Sequence, residues 1–230
     1  MRLLSRENFL FKNNSYSQTG EDIIIRFIFL SLKIDKPTYI DIGAHHPFYL
    51  SNTALLYENG SNGINIEPDS SLIKLFNKYR KRDINLNIGI SDIDDVSDFY
   101  IMNVPTLNTF SKKETERYSN EGNYFVKDVK KMHVIKFNEL IDKYANGSYP
   151  DFLNIDAEGV DEIIIKSIDF KIRPPIVICI ETISFSTNGM GSKNNDLISY
   201  IKSKGYILFA DTYINSIFVL KSIWERGIHV

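Results

Sequence analysis

Short apolar runs alternate with amphipathic stretches along most of this chain, and the alternation predicts its elements. "GEDIIIRFIFLSLKI" opens with two carboxylates at the positive end of a prospective helix and then turns apolar, which predicts a helix over about 20–32. "TYIDIG" is rich in β-branched and aromatic residues and stops at Gly43, the pattern of a first strand. "SNTALLYENG" starts with the N-cap candidates Ser51 and Asn52 and stops at Gly60, as a helix does. "NGINIEP" is a second strand closed by Pro68, and "DSSLIKLFNKYRKR" is a helix with Asp69 as its N-cap. Its residues Leu72, Ile73, Leu75, Phe76 and Tyr79 share one face, and its basic "KYRKR" (78–82) reads as a solvated helix end. "DINLNIGIS" is a third strand.

Between about 97 and 137 the alternation breaks. "SDFYIMN" and "DVKKMHVIKF" are strand-like and flank a polar helix, "SKKETERYSNEG", which marks an insertion or lid beside the core. The alternation then resumes: helix "FNELIDKYANG", strand "PDFLNID", helix "GVDEIIIKSIDF", strand "PPIVICIE", helix "NNDLISYIKSKG". Two strands, "YILFADT" and "NSIFVLKS", end the pattern; their connection is too short for a parallel crossover, so they pair antiparallel. Strands alternating with helices at this spacing predict an α/β fold, a mostly parallel sheet covered on both faces.

Composition narrows the function classes. The net charge of −2, with no long run of one sign, offers no basic surface for nucleic acid. The single cysteine, Cys179, excludes an internal disulfide and sits in a buried-strand pattern as a small core residue. The N-terminus has charges among its apolar positions and no small-residue cleavage site, unlike a signal peptide. The longest apolar stretch, "IIIRFIFLSL", is interrupted by Arg26 and falls short of the roughly 20 residues a bilayer span needs. A cytoplasmic protein without stable membrane insertion is the expectation.

Open α/β sheets bind ligands beyond the carboxyl ends of their strands. The first strand delivers Asp41, Gly43 and His45 there, and the second delivers Glu67. The third leads into Ser91 and Asp92, and the later strands deliver Asn154, Asp156, Glu158 and Glu181. A dinucleotide turn wants G-x-G-x-x-G, but the loop here is "GAHHPF", which argues against an NAD-dependent oxidoreductase, the competing enzyme class. A ligand with adenosine and no phosphates fits better: Gly43 admits close approach, Glu67 accepts from both ribose hydroxyls, and Asp92 receives the adenine amino group. Asp41 suits a positive group. S-adenosylmethionine has that composition.

Four segments then resemble the FkbM family of S-adenosylmethionine-dependent methyltransferases: "YSQTGEDIII", "YIDIGAHHPFYLSNT" with "GINIEP", "LNTFSKKE", and "FLNIDAEGVDEII" followed by "RPPIVICIE". Together they are spread over about residues 16–181. One departure is "NGSNGIN", where relatives often carry an aromatic at the position of Ser61 or Asn62. The resemblance implies a Rossmann-like class I methyltransferase core, a seven-stranded sheet with an antiparallel hairpin at one edge. It implies one domain over 1–230, with an N-terminal helical extension over about 1–35 beside the lid. It also implies methyl transfer to a hydroxyl of a sugar or small molecule, with S-adenosylhomocysteine as product. Gly43 and Glu67 match the family's cofactor positions, and Asp156 and Glu158 its D-x-E-G segment.

The expected cofactor set is Gln18, Glu21, Asp41, Gly43, Ala44, Glu67, Ser91, Asp92 and Asn154; Glu21 equally suits the first turn of its helix. Alignment of acceptor oxygen and methyl is a large part of such a transfer, and because a sugar hydroxyl is barely acidic a positioned base adds roughly 10²–10⁴-fold. Asp156 is the first candidate for that base, with Glu158 beyond it; Asp156 equally suits a helix cap. His45 either serves as base or substrate ligand or only shapes the turn with His46. His45, Asp156 and Glu181 are the set that would take a divalent cation such as Mg²⁺, which needs more than two adjacent histidines. Tyr118, Tyr124 and Phe125 either stack on a sugar ring or anchor the lid. The acceptor class expected by family analogy is bacterial surface glycan, capsule or O-antigen, with the sugar free, nucleotide-linked or already polymerised, and isoleucine-, lysine- and asparagine-rich composition suits a bacterial source. A non-catalytic binding protein that keeps the fold is the third reading.

Overall fold

A computed structural model describes residues 14–171, 174–184 and 191–227. The first part of the expected N-terminal extension, residues 1–13, lies outside them. Seven strands form the main sheet: β1 (Tyr39–Ile42), β2 (Gly63–Ile66), β3 (Ile84–Leu86), β7 (Phe152–Ile155), β8 (Val177–Glu181), β9 (Tyr206–Asp211) and β10 (Asn215–Leu220). Their order is β3-β2-β1-β7-β8-β10-β9. The β1–β2, β2–β3, β1–β7 and β7–β8 pairs are parallel, and β10 runs antiparallel to β8 and β9. This is the mostly parallel sheet with an antiparallel C-terminal hairpin of a class I methyltransferase fold. The order reverses between β1 and β7, so their carboxyl ends open a crevice there.

Period-two alternation decides what each face meets. Ile40, Ile42, Leu153, Ile155, Ile178 and Ile180 point to one side, where Phe137, Leu140, Ile164, Leu197 and Ile201 cover them. Tyr39, Phe152, Val177 and Cys179 point to the other, against Ile25, Ile28 and Phe29 of helix α1 (Glu21–Ser31). The buried strands therefore read as nearly continuous apolar runs, except where Asp41 and Asn154 interrupt the second face.

The remaining helices are α2 (Ala54–Glu58), α3 (Ser70–Tyr79), α4 (Lys112–Glu121), α5 (Phe137–Tyr144), α6 (Asp161–Lys166), α7 (Asn195–Ser203) and α8 (Lys221–Gly227). Asp69 caps α3 by accepting from Ser71 N. Helix α2 is capped by neither Ser51 nor Asn52 in the expected manner: its N-cap is Thr53, although Ser51 Oγ accepts from Ala54 N. Helix α6 is shorter than its apolar pattern, and α8 was not foreseen.

The expected third strand is two strands. β3 ends at Leu86, and Gly89–Ser91 forms β4 in a second, three-stranded sheet, paired parallel with β6 (Val126–Lys136). Asn87 makes the break, its amide donating to Glu67 O and Pro68 O over 2.9 and 2.8 Å. β5 (Asp95–Met102) completes that sheet antiparallel to β6, so the segment expected as a lid pairs with β4 in a sheet centred on β6. Among the described residues, no helix is long and apolar enough to cross a membrane.

Candidate active site

A cavity of about 410 Å³ opens at the carboxyl ends of β1, β2, β7 and β8, within the usual size of a small-molecule site. Its tightest point is Gly43, with φ +76°, where a Cβ would lie 1.8 Å from Asp156 O. Only glycine permits that approach of the β1 and β7 ends. The amides of Gly43 and Ala44 both donate to Ile66 O over 3.0 Å, and Asp156 N donates to Ile42 O over 3.0 Å. The turn is thus tied to both neighbouring strands.

Glu67 is buried beside that turn and accepts from His45 N over 2.8 Å and Asp69 N over 2.6 Å. Burial pushes its carboxyl up to about 8, against the pull of those two backbone donors. Each oxygen keeps lone-pair capacity for a further donor.

Asp41 and Asn154 are in register on adjacent strands, and both are buried. Asn154 Nδ2 donates to Asp41 Oδ1, Thr53 Oγ1 donates to Asp41 Oδ2, and Asn52 Nδ2 donates to Asn154 Oδ1. Both oxygens of Asp41 therefore have protein partners, and the residue braces the cavity floor that it also lines.

Asp156, Glu158 and Glu181 stand together on the other side. Asp156 is open to cavity solvent and, like Glu181, makes no side-chain hydrogen bond or ion pair among the described residues. Surrounding protein bulk, then the charges of Asp161, Asp41 and Glu21, push the Asp156 carboxyl up to about 7, and its contact with water works against that rise. Burial and the neighbouring carboxylates raise Glu158 and Glu181 as well. Glu158 has φ +49° and accepts from Tyr118 OH over 2.7 Å, while Tyr118 packs against Met102 and Leu107. Tyr118 is an anchor, and Phe125 points to solvent. Asp161, which the sequence pattern did not single out, winds this loop by accepting from Ala157 N and Gly159 N.

The two histidines part company. His45 has φ +52°, lines the cavity and has its ring 6.3 Å from that of Tyr49; burial lowers its basicity. His46 turns away from the role of ligand: its Nδ1 accepts from Phe48 N and Tyr49 N, closing the loop.

Gln18, Asp41, Gly43, Ala44, His45, Glu67, Asn154, Asp156, Glu158 and Glu181 all line the cavity. Glu21, Ser91 and Asp92 do not. Glu21 is buried behind the wall, accepting from Thr212 Oγ1 and Asn215 Nδ2. Ser91 and Asp92 follow β4 into the second sheet, where Asp92 is exposed and accepts from Ser91 Oγ. Ile66, Pro68, Leu72 and Ile90 occupy the cavity wall at that end instead. The divalent-cation site expected from His45, Asp156 and Glu181 is not formed. Among the described residues, no group of three or more His, Cys, Asp and Glu side chains stands where it would hold a metal ion.

One residue the sequence reading misplaced is Arg80, the middle of "KYRKR". It is wholly buried, donating to Asp83 Oδ2 (2.8 Å), Tyr39 OH (2.7 Å), Thr53 Oγ1 (3.2 Å) and Pro47 O (3.1 Å). It ties the end of α3 to the cofactor-side loop and to the bracing of Asp41.

The profile of the methyltransferase FkbM domain matches residues 41–208. Among solved structures, the chain is similar to methyltransferase FkbM from Methylobacillus flagellatus KT, at 16% identity and TM-score 0.46, over 80% of this chain and 44% of that one. The chain thus spans less than half the length of that relative. It is also similar to an O-methyltransferase from Bacillus cereus in complex with SAH, at 12% identity and TM-score 0.41, over 94% of this chain and 86% of that one. A precorrin-6y C5,15-methyltransferase from Geobacter metallireducens GS-15 matches at 13% identity and TM-score 0.39, over 86% of this chain and 88% of that one. A comparison with curated proteins finds no match. The chain belongs to the FkbM methyltransferase family.

Proposed function

We propose that this FkbM-family chain is an S-adenosylmethionine-dependent O-methyltransferase that acts in the cytoplasm on a hydroxyl of a sugar or other small molecule. The observation that carries this reading is the cavity at the switch point, where Gly43 lets the β1 and β7 ends approach closely and Glu67 stands beside them. Glu67, which lines the cavity, would take ribose hydroxyls, and Ile66, Pro68, Leu72 and Ile90 would offer the apolar wall on which a base rests. Gln18, with Asp41 and Asn154 bracing from below, would face the amino-acid end. When bound, S-adenosylmethionine supplies an electrophilic methyl group.

Asp156 is the group we assign to proton removal. It has no competing side-chain bond among the described residues, and a carboxylate raised toward neutrality is a stronger base than an ordinary one. Glu158, held by Tyr118, would orient the acceptor, and His45 is the second candidate base. A surface-glycan sugar as acceptor rests on family analogy alone.

Calorimetry with S-adenosylhomocysteine tests the cofactor assignment: micromolar binding is expected, and loss of it in Glu67→Ala. Unchanged binding in that variant would overturn the ribose assignment. Mass spectrometry of a nucleotide-sugar panel then tests the reaction, reading the gain of one methyl group. Cofactor binding with turnover indifferent to Asp156→Asn and His45→Ala would instead favour a protein that keeps the fold without using these residues.

A further inference from the structure

The cavity is one-sided in its ionisable groups, and an entering cation favours the ionised form of carboxyls that burial and mutual repulsion otherwise keep protonated. Five carboxylates line it, and among its described lining residues there is no lysine or arginine. Asp41 and Glu67 are satisfied by hydrogen bonds from the protein, whereas Asp156 and Glu181 have none among the described residues. Of the cations on flanking segments, Lys112 and Lys113 are exposed at the start of α4, and two others are engaged elsewhere. Lys193 Nζ bonds Asp211 Oδ1 over 2.7 Å and Tyr213 O over 2.8 Å, and Arg117 pairs with Glu114 and Glu121. The stretch between Ser184 and Gly191 reads "FSTNGM" and adds no charge.

At the rim of the same cavity stands Tyr213, in the turn between β9 and β10 and 53% exposed. Its φ of +75° is a costly conformation for a bulky residue, which persists only where neighbours enforce it. Here they do. Tyr213 N donates to Asp211 Oδ1 over 2.8 Å, Tyr213 O accepts from Lys193, and the next carbonyl, Ile214 O, accepts from Thr182 N over 3.0 Å. The backbone that carries this aromatic side chain is therefore held at the entrance, on a turn tied to the segment that follows Glu181. An aromatic surface with unpaired carboxylates nearby suits a hydroxylated ring: its C–H face rests on the aromatic and its hydroxyls donate to the carboxylates.

We propose that the acceptor half of this cavity selects by charge, admitting a hydroxylated ring that is neutral or amine-bearing against Tyr213 and rejecting a ring that carries carboxylate, sulfate or phosphate. The inference deepens the methyltransferase reading and rests on it for the identity of the guest as acceptor. If the acceptor is nucleotide-linked, its diphosphate stays outside the cavity.

The test is a thiol-labelling ratio. Cys179 is the chain's single cysteine and is fully buried, so the native protein gives the background. Tyr213→Cys, and separately Ser184→Cys at the same rim, are labelled at low ionic strength with a cationic (trimethylammonioethyl) and an anionic (sulfonatoethyl) methanethiosulfonate. At pH 8, where Asp156 is ionised, the cation-to-anion rate ratio, divided by that of 2-mercaptoethanol, is expected to exceed tenfold and to fall when Asp156→Asn is added. A ratio below tenfold at both positions, or one that Asp156→Asn leaves unchanged, overturns the proposal; if one cysteine variant fails to fold, the other decides. The same samples are titrated with S-adenosylhomocysteine. Absence of binding sinks the cofactor reading while the labelling ratio still judges the charge selectivity.

Discussion

Asn154 Nδ2 donates to Asp41 Oδ1 over 2.8 Å, between paired positions of neighbouring parallel strands. This bond is the centre of a longer chain. Asn52 donates into Asn154, Thr53 into Asp41, and Arg80 into Thr53, so the buried floor is connected to the end of α3. Cofactor-side geometry and stability are therefore tests of the same network.

Asp41→Asn keeps the size of the side chain but turns one acceptor into a donor facing Thr53 or Asn154. A buried donor left unmatched costs about 1–3 kcal/mol. Thermal denaturation should show a clearly lower melting temperature than wild type. An unchanged one would mean that the network is not what orders the floor.

Gly43→Ala meets two obstacles, the left-handed φ and the carbonyl of Asp156 lying 1.8 Å from the new Cβ. Strain of the first kind alone costs about 1 kcal/mol. The second forces the ends of β1 and β7 apart, so S-adenosylhomocysteine binding should be lost even in a variant whose circular dichroism shows a folded sheet. Wild-type affinity in this variant would refute that role for Gly43.

Much of this was legible in the sequence because it is local. The order of strands and helices follows from period-two and helical patterning, and Gly43 and Glu67 announce themselves by ending apolar strands. What was not legible depends on distant partners. Nothing near "DINLNIGIS" shows that β4 will pair with Val134–Lys136, which is why Ser91 and Asp92 were expected in a cavity they do not line. Arg80 looks like one more surface cation until Tyr39, Pro47 and Thr53 fold around it. That Asp41 also accepts from Thr53 and Asn154 depends on two other segments in the same way.

Arg80→Met should destabilise the fold by about 3–5 kcal/mol, since it leaves Asp83 buried without its cation. Arg80→Lys should recover little. An ammonium cannot serve Asp83, Tyr39, Thr53 and Pro47 from one planar fork. Urea denaturation of both variants checks this, and full rescue by lysine would show that charge alone matters.

The carboxylates set an unusual pH trend. Glu67 titrates near 8 in the folded state against an ordinary 4.5, so the folded protein holds a proton that the unfolded chain has released. That contribution to stability is full below about 4.5 and is lost as pH rises toward 8. Asp156 and Glu181 are shifted in the same direction. Glu21 is the opposite case: despite burial, bonds from Thr19 and Thr212 hold it near 2, and its contribution is lost only on acidification below 4.5. The ligand-free protein should therefore melt at a lower temperature at pH 8 than at pH 5.5, and Glu67→Gln should flatten that slope.

His46 works against this trend at the cofactor turn. Its Nδ1 accepts from Phe48 N over 3.2 Å and Tyr49 N over 3.0 Å, which only the neutral ring with a free Nδ1 can do. Burial lowers its pKa from 6.5, so the loop's stabilisation is present above 6.5 and fades as pH falls through the lowered value. Affinity for S-adenosylhomocysteine should consequently weaken on the acid side of 6.5, as pH falls through that lowered value. His46→Asn supplies an amide oxygen as a non-titrating acceptor, and it should bind comparably at neutral pH while losing much of the acid-side decline. Because Glu67 and His45 remain in both proteins, the difference between the two calorimetric pH profiles isolates His46. Parallel profiles would assign the decline to those neighbours instead.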